Sequence, residues 1–598
     1  MRDNKHSTHN KHRNSRQGSS RNNWVSKNSI QRDYGFSSEF IDAYFPDPVF
    51  RRSRRGSASN VKPFWPAEKV KKLLATPPVR KELARICAEK KKKAEMAHQL
   101  YNLLESCTPE TLIHQGSKLQ RTFIIHSGPT NSGKTHDAIE SLKKASSGLY
   151  LGPLRLLALE MYDRLNASGI RCNLLTGEEM QTVEGAEITA STIEMCNYSK
   201  EYETAVIDEA QMVSDPDRGS HWLKAICLLN AKEIHICCAP EAEELMVKLL
   251  TDMKSPFSIV RHKRLVPLQF SGICDSLNDV KDGDALITFS RKSVLSIAAL
   301  LEKSGKRASV IYGALPPEAR REEVYRYTSG ETTVVVATDA IGMGISLPIR
   351  RIIFAETTKF DGVQRRPLLF SEIKQIAGRA GRFGMFDLGE VLTTSNAKQI
   401  KRGMEQPVPA LKRFRIPFPK EILDTEHDLK SLLDTWNSLP PVSAFEREDV
   451  RDALYLYKVL QPSIPEDTDK KLVYDLITCP VNLKSDQLVQ YWLSCCKKIL
   501  NGQKPPLPPF GSSTLEKCET QYSAYDIHHQ LLRRIGIEEN CEREKTILCQ
   551  KINAFLKKDK SGFIRTCKLC GAILPIGSPY SVCDTCYQNA YSMGYPYN

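Results

Sequence analysis

No run of apolar residues in this chain approaches the ~18–20 needed to span a bilayer, which excludes a transmembrane helix as a reading. The N-terminus lacks the apolar core of a secretory signal, and no repeat of solenoid or propeller period is present. Disulfide chemistry is also a poor fit. The 18 cysteines belong to a long chain rather than a small secreted scaffold, and fourteen of them lie scattered in apolar stretches such as Ile236-Cys237-Cys238. A reducing, intracellular compartment is expected, with the cytoplasm ahead of the mitochondrial matrix because no clear presequence leads the chain. What is present is length and positive charge. At 598 residues the chain exceeds a single core. Its 85 Lys and Arg against 70 Asp and Glu give a net charge of +15, which favours a polyanionic partner, nucleic acid first and a membrane not at all.

Nearly half of that charge lies in residues 1–60, with twelve basic against five acidic side chains. The segment is poor in aliphatic residues up to about Asp33, so 1–60 is expected to be a disordered basic arm, either phosphate-binding or merely solubilising. Residues 61–121 read as helical. From Thr122 short apolar runs (FIIH, GLYLG, EITAS, TAVID, EIHICC, then ALITF, ASVIY, TVVVAT, RIIFA) alternate with helix-length segments. That alternation predicts an α/β class with two tandem parallel-sheet domains, 122–265 and 266–400. Past 400 the strands are expected to stop: a helical domain over 401–503, a stiff Pro-rich linker and helices over 504–557, and a small cysteine module over 558–598.

Gly128-Pro129-Thr130-Asn131-Ser132-Gly133-Lys134-Thr135 follows the strand FIIH and opens a helical stretch. Backbone N–H groups of such a loop wrap phosphate oxygens; Lys134 reaches the β/γ-phosphates and Thr135 ligates Mg²⁺. A second carboxylate on a neighbouring strand is then required, and the strand ending Ile207-Asp208-Glu209 supplies it. Asp208 suits the metal shell and Glu209 the attacking water. Arg379 and Arg382, three apart, would share a helix face and meet the γ-phosphate as arginine fingers. The Gly-rich stretch carrying Thr338, Asp339 and Gly342 can sense both nucleotide and strand. Asp361-Gly362 between strand-like flanks predicts a β-hairpin. Near the end, Cys567-x-x-Cys570 and Cys583-x-x-Cys586 form two knuckles at the spacing of a structural Zn²⁺ ribbon, with a redox pair as the other reading.

The ordered set GPTNSGKT, GPLRLLALE, TGE, STIEM, DEAQ, ITFSRKSV, ATDAIGMGIS and QIAGRAGRFG resembles the motif series of superfamily-two DExH helicases. Together with GMGISLPIRRIIF and KFDG it is similar to the mitochondrial-degradosome RNA helicase family and its bacterial relatives. The resemblance covers 122–400 closely and 420–500 loosely. It implies two RecA-like domains with ATP in the cleft between them, and a nucleic-acid strand lying across both. It further implies ATP-driven 3′-to-5′ translocation with unwinding of RNA, often DNA as well, in RNA turnover with an exoribonuclease partner. On the same basis Pro153, Arg155, Gly177, Thr192, Ser290, Arg291 and Thr338 contact the strand backbone, Gln211 couples the γ-phosphate to domain closure, and Gln375 touches nucleotide. In processive members the hairpin splits the duplex. The family's adenine-selecting upstream motif is not evident here, and the cysteine module lies outside the family core. A DNA translocase and a nucleoprotein remodeller that does not unwind are the competing readings.

Overall fold

The computed structural model describes residues 24–52, 61–106, 120–342, 347–441, 444–537, 539, 541–558, 560–574 and 580–592. The chain divides into two compact units, 1–101 and 102–598.

In the first unit three short strands, β1 (Trp24–Ser26), β2 (Val49–Arg52) and β3 (Val61–Pro66), pair antiparallel in the order β1-β3-β2. Helices α1 (Lys27–Tyr34), α2 (Ser38–Tyr44), α3 (Ala67–Leu74) and α4 (Pro77–Ser106) accompany them. Within 24–52 this corrects the expectation of disorder; 53–60 lie outside the described residues. Phe36, Phe45 and Trp65, with Ile30, Ile41 and Val70, form one buried cluster, and the Trp65 indole donates to the Phe45 carbonyl at 3.0 Å. The aliphatic poverty of the segment is offset by aromatic bulk. Residues 1–23 lie outside the described residues, and 61–121 contains β3 as well as helices.

The second unit opens with an eight-stranded sheet built from β4 (Thr122–Ser127), β5 (Gly148–Gly152), β6 (Cys172–Leu175), β7 (Met180–Gln181), β8 (Ile188–Thr192), β9 (Tyr202–Ile207), β10 (Ala231–Cys238) and β11 (Phe257–Arg261). Their order is β11-β4-β10-β9-β5-β8-β6-β7, parallel except for the β6–β7 pair. Helices α5 (Lys134–Leu142), α6 (Arg155–Ala167), α7 (Gly219–Leu228) and α8 (Glu243–Asp252) make the crossovers. Its central strands are buried almost throughout, as sheets covered on both faces must be. A second sheet follows, from β12 (Leu268–Ile273), β13 (Asp284–Ile287), β14 (Ala308–Ile311), β15 (Val334–Ala337), β16 (Arg351–Phe354) and β19 (Gly389–Thr393). It is wholly parallel in the order β12-β19-β16-β13-β15-β14. Its helices are α9 (Arg291–Lys303), α10 (Pro317–Thr328), α11 (Phe370–Ala377) and α12 (Ala397–Glu405).

Between β16 and α11 the chain throws out the antiparallel hairpin β17 (Thr358–Phe360) and β18 (Arg365–Pro367). The Asp361 carboxylate accepts from the amides of Val363 and Gln364, both at 2.9 Å. Gly362 takes φ +106°, which side chains rarely adopt.

Strands do not stop at 400. β20 (Phe414–Ile416) pairs parallel with β21 (Phe445–Arg447), and this short pair pins the helical region to the first sheet domain: Leu411 donates to the Glu241 carbonyl at 2.7 Å. The helices there are α13 (Leu429–Ser438), α14 (Arg451–Leu460), α15 (Lys470–Ile477) and α16 (Asp486–Leu500). The segment expected as linker and helices becomes α17 (Leu515–Arg534) and α18 (Glu542–Lys557). These two bury Leu515, Tyr522, Leu548, Ile552 and Leu556 in the same core as Val294, Val310 and Val336 of the second sheet domain. They complete that domain instead of hanging from it. Among the described residues no helix is long and apolar enough to cross a membrane.

Candidate functional site: the interdomain cleft and the cysteine module

The loops after β4 and β9 need unusual backbone at three positions. Asn131 (φ +62°) and Glu209 (φ +50°) are non-glycine residues in the left-handed region, and Gly133 (φ +84°) caps the start of α5. Such conformations cost ~1–3 kcal/mol each and persist where surroundings over-determine them. At Gly128 a Cβ would stand 2.8 Å from both the Ser132 hydroxyl and the His262 Cβ, so only glycine lets the loop close. Lys134 and Ser132 are buried, and the Ser132 hydroxyl has no hydrogen-bond partner. An orphaned buried hydroxyl inside a ring of backbone amides fits a phosphate oxygen.

The pair expected to hold the metal is assembled across 73 residues of sequence: the Thr135 hydroxyl donates to Asp208 Oδ1 at 3.1 Å. Asp208 is fixed by the Tyr150 hydroxyl at 3.0 Å and by the Glu209 amide at 2.9 Å. Burial, with Glu209 adding to it and Lys134 opposing, pushes the Asp208 carboxyl up to about 6. Thr135 and Asp208 are hard oxygen donors beside a phosphate cradle and fit Mg²⁺. Gln211 turns to its own domain, donating to Glu209 and accepting from the Ala239 amide at 3.0 Å. It does not reach the second domain here.

The second domain brings its arginine segment onto this loop. Asn131 Nδ2 donates to the Gly381 carbonyl at 2.6 Å, and a Cβ at Gly378 would sit 2.7 Å from the Thr130 side chain. Arg379 donates to the Gly342 carbonyl at 2.5 Å. Burial pulls its guanidinium down while Glu209, Glu160 and Asp208 hold it up. Arg382 acts electrostatically on Glu160 from the same side, and the Gln375 side chain packs beside Gly342. The Asp339 carboxylate accepts from Lys359 Nζ at 3.1 Å. Met343–Ser346 lie outside the described residues.

Sequence reasoning missed Arg264. Its guanidinium donates to the Thr130 and Gly378 carbonyls, both at 2.9 Å, and to Ala380. It therefore ties the phosphate loop to the arginine segment, and burial pulls it down to about 10. A lone Arg-Leu-Val with no motif around it gives no signal in sequence.

The four predicted zinc ligands come together, with their sulfurs within 4.8 Å of one another. Cys570 and Cys583 are 3.6 Å apart, and the Cys583 amide donates to Cys567 Sγ at 3.3 Å. Amides directed at that sulfur pull the Cys567 thiol down to about 6. Four converging sulfurs with N–H donors behind them fit a tetrahedral Zn²⁺.

Residues 109–262 match the family described as the DEXQ-box helicase domain of Suv3, and 269–384 match the helicase conserved C-terminal domain. The two sheet domains are similar to the core of a Suv3-type helicase. A rice protein named ATP-dependent RNA helicase SUV3L, mitochondrial, is 42% identical over 441 residues, covering 69% of this chain and 58% of its own. The human protein named ATP-dependent RNA helicase SUPV3L1, mitochondrial, is 40% identical over 309 residues, covering 49% and 39%. The yeast protein named ATP-dependent RNA helicase SUV3, mitochondrial, is 37% identical over 320 residues, covering 51% and 43%. The chain spans about half the length of the curated relatives it matches.

Within this helicase core the seven expected strand contacts are not presented as one open track. Arg155 spends its guanidinium on Glu178, Glu179 and Glu318, at 2.5, 3.0 and 2.6 Å. Arg291 pairs with Glu519 and Glu516 of α17. Gly177 lies under α17, its carbonyl accepting from Arg533 at 3.3 Å. The Pro153 carbonyl accepts from Arg218, Ser290 caps α9, and Thr192 and Thr338 are buried. For Arg291 and Gly177 the cause lies in α17, whose place against the core no local motif announces.

Proposed function

We propose that the chain is an ATP-dependent RNA helicase that translocates 3′ to 5′ along single strands and separates duplexes. The observation that carries this reading is the phosphate loop with Thr135 and Asp208, roofed by Arg379 from a second domain that bears a hairpin. The loop amides, Ser132 and Lys134 would hold the phosphates of ATP. Mg²⁺, held by Thr135 and Asp208, supplies neutralising charge for the β/γ-phosphates. Glu209 orients a water and takes its proton as the water oxygen bonds to the γ-phosphorus. The β–γ bridging oxygen leaves with the bond electrons as ADP, and Arg379 and Arg382 offset the charge spreading over the transferring group. Gln375 would add a nucleotide contact, with Asp339 and Gly342 relaying the change to the strand.

Because Arg264 and Asn131 join the phosphate loop to the arginine segment, gain or loss of the γ-phosphate is felt by both domains. Pro153, Arg155, Gly177, Thr192, Ser290, Arg291 and Thr338 would take the sugar-phosphate backbone, with strand phosphates replacing the carboxylates on Arg155 and Arg291. Such contacts carry no sequence information. The exposed tip of the 358–367 hairpin, where Val363 is 89% exposed, would part the strands. Zn²⁺ on Cys567, Cys570, Cys583 and Cys586 would order the terminal module. The motif resemblance to the degradosome helicase family supports a setting in RNA turnover, where an exoribonuclease would be the partner class. The names of the relatives specify mitochondria, so the mitochondrial matrix replaces the cytoplasm as the favoured location.

Strand displacement on four matched duplexes, RNA or DNA with 3′ or 5′ tails, tests this, with Lys134→Ala as control. Displacement of the 3′-tailed RNA duplex that the control loses is the expected result. Equal displacement of DNA widens the substrate. RNA-stimulated hydrolysis without displacement of any duplex overturns the helicase reading in favour of a remodeller.

A further inference from the structure

Away from the cleft and from the four-cysteine cluster, three electron-pair donors converge where α17 turns into α18. His528 on α17, Glu539 in the connection and Cys541 just before α18 place a ring nitrogen, a carboxylate oxygen and a sulfur within 4.8 Å of one another. His528 and Cys541 are buried. The neighbours fix which nitrogen of His528 carries the proton. The Tyr491 hydroxyl donates to the Pro506 carbonyl at 2.8 Å, so toward His528 Nδ1, 3.0 Å away, it acts as acceptor. In the neutral ring Nδ1 therefore bears the hydrogen and Nε2 the lone pair.

That lone pair faces Glu539 Oε2 at 3.4 Å. A proton shared there would draw the pair to ~2.7–2.9 Å, the range of a charge-assisted hydrogen bond. Two ligands each ~2.0–2.2 Å from one tetrahedral ion instead stand ~3.4 Å apart. Lys504 lies 3.0 Å from the same carboxylate oxygen and balances its charge. Beyond the donors lies a cavity of about 520 Å³ whose lining includes Glu539, Cys541, Gly177, Glu178 and Lys545. It reaches two of the three donors, Glu539 and Cys541, and gives a route in on their side.

We propose that His528, Glu539 and Cys541 bind a second Zn²⁺ ion, with the fourth position open to water in that cavity. Imidazole and thiolate select zinc over Mg²⁺. The hydrogen bond from Nδ1 through Tyr491 to Pro506 is the outer support that metal-bound histidines have. Binding exchanges the Cys541 thiol proton for the metal, releasing one H⁺ per ion bound. The ion joins the end of α17, the connection and the start of α18 beside the Gly177 loop.

Metal content of the full chain decides this, and it is independent of any helicase activity. After equilibration with Zn²⁺ and desalting, the wild type should hold two ions. Cys567→Ser/Cys570→Ser should hold one, and adding Cys541→Ser should remove it. Glu539→Gln, on a partly exposed loop where misfolding is no concern, should weaken the second ion at least tenfold in competition with a chelator. After Co²⁺ substitution, the ion left in Cys567→Ser/Cys570→Ser should show the weak charge-transfer band of a single thiolate. A wild-type content of one, or a second ion indifferent to both Cys541→Ser and Glu539→Gln, overturns the site.

Discussion

At the residue scale the cleft is defined by groups held where they would not otherwise stay. Asp208 is an acid raised from an ordinary 3.8 to about 6 by burial and by Glu209, yet it must be ionised to hold Mg²⁺. Hydrolysis should therefore fall as pH drops through about 6, read as a one-proton limb in a profile of kcat/KM between pH 5 and 8. For folding the sign reverses. The nucleotide-free folded state binds this proton more tightly than the unfolded state does, so Asp208 lowers stability as pH rises from about 4 through 6. Asp208→Asn should remove that slope from the thermal midpoint. Lys134→Ala should cost at least ~100-fold in hydrolysis, as loss of a charge stabiliser does, while the melting temperature stays within a few degrees. Arg264→Ala should weaken ATP binding and hydrolysis by ~10–100-fold together, measured by nucleotide titration and turnover, because it frees the two sides of the cleft from each other while leaving both intact.

Elements show where local pattern suffices and where it does not. The hairpin follows from Asp361-Gly362 alone: an aspartate side chain that closes the turn, then a residue free to take φ +106°. Shortening its tip by deleting 362–363 should abolish strand displacement while RNA-stimulated hydrolysis stays within about twofold; parallel loss of both would make the hairpin a structural part. Helices α17 and α18 are different. Their sequence reads as helical, but Cys518, Tyr522, Cys549 and Ile552 announce no partner, and the partner is a core some 200 residues earlier. Ile552→Ala should cost ~2–5 kcal/mol, read from the urea midpoint of the second sheet domain, since it opens a cavity in that core. No change there would place the helices outside the cooperative unit.

At the scale of the whole molecule, the consequence is that residues 24–52 and the helices α17 and α18 each belong to a packed core that their composition does not suggest. The basic segment contributes Ile30, Phe36, Ile41 and Phe45 to a small core, so removing 1–60 should unfold the N-terminal unit. Removing 1–23 should leave it intact. Near-ultraviolet circular dichroism of the buried Trp65 distinguishes the two. If residues 1–23 contact RNA phosphates, that shorter deletion should also flatten the dependence of RNA affinity on salt.

The sequence by itself determined the two sheet domains, the phosphate loop, Asp208 beside Glu209 and the cysteine knuckles. In each case a backbone geometry or ligand set demands particular residue types at fixed spacing, and spacing survives in one dimension. Arg379 and Arg382, expected to share a helix face, lie instead in the turn past the end of α11, because the helix stops at Ala377 before the Gly378 cap. Only tertiary structure decided that Arg264 bridges the cleft, that Arg155 and Arg291 are engaged by carboxylates, and that His528 meets Glu539 and Cys541. Those encounters are governed by burial and charge pairing that no local pattern encodes.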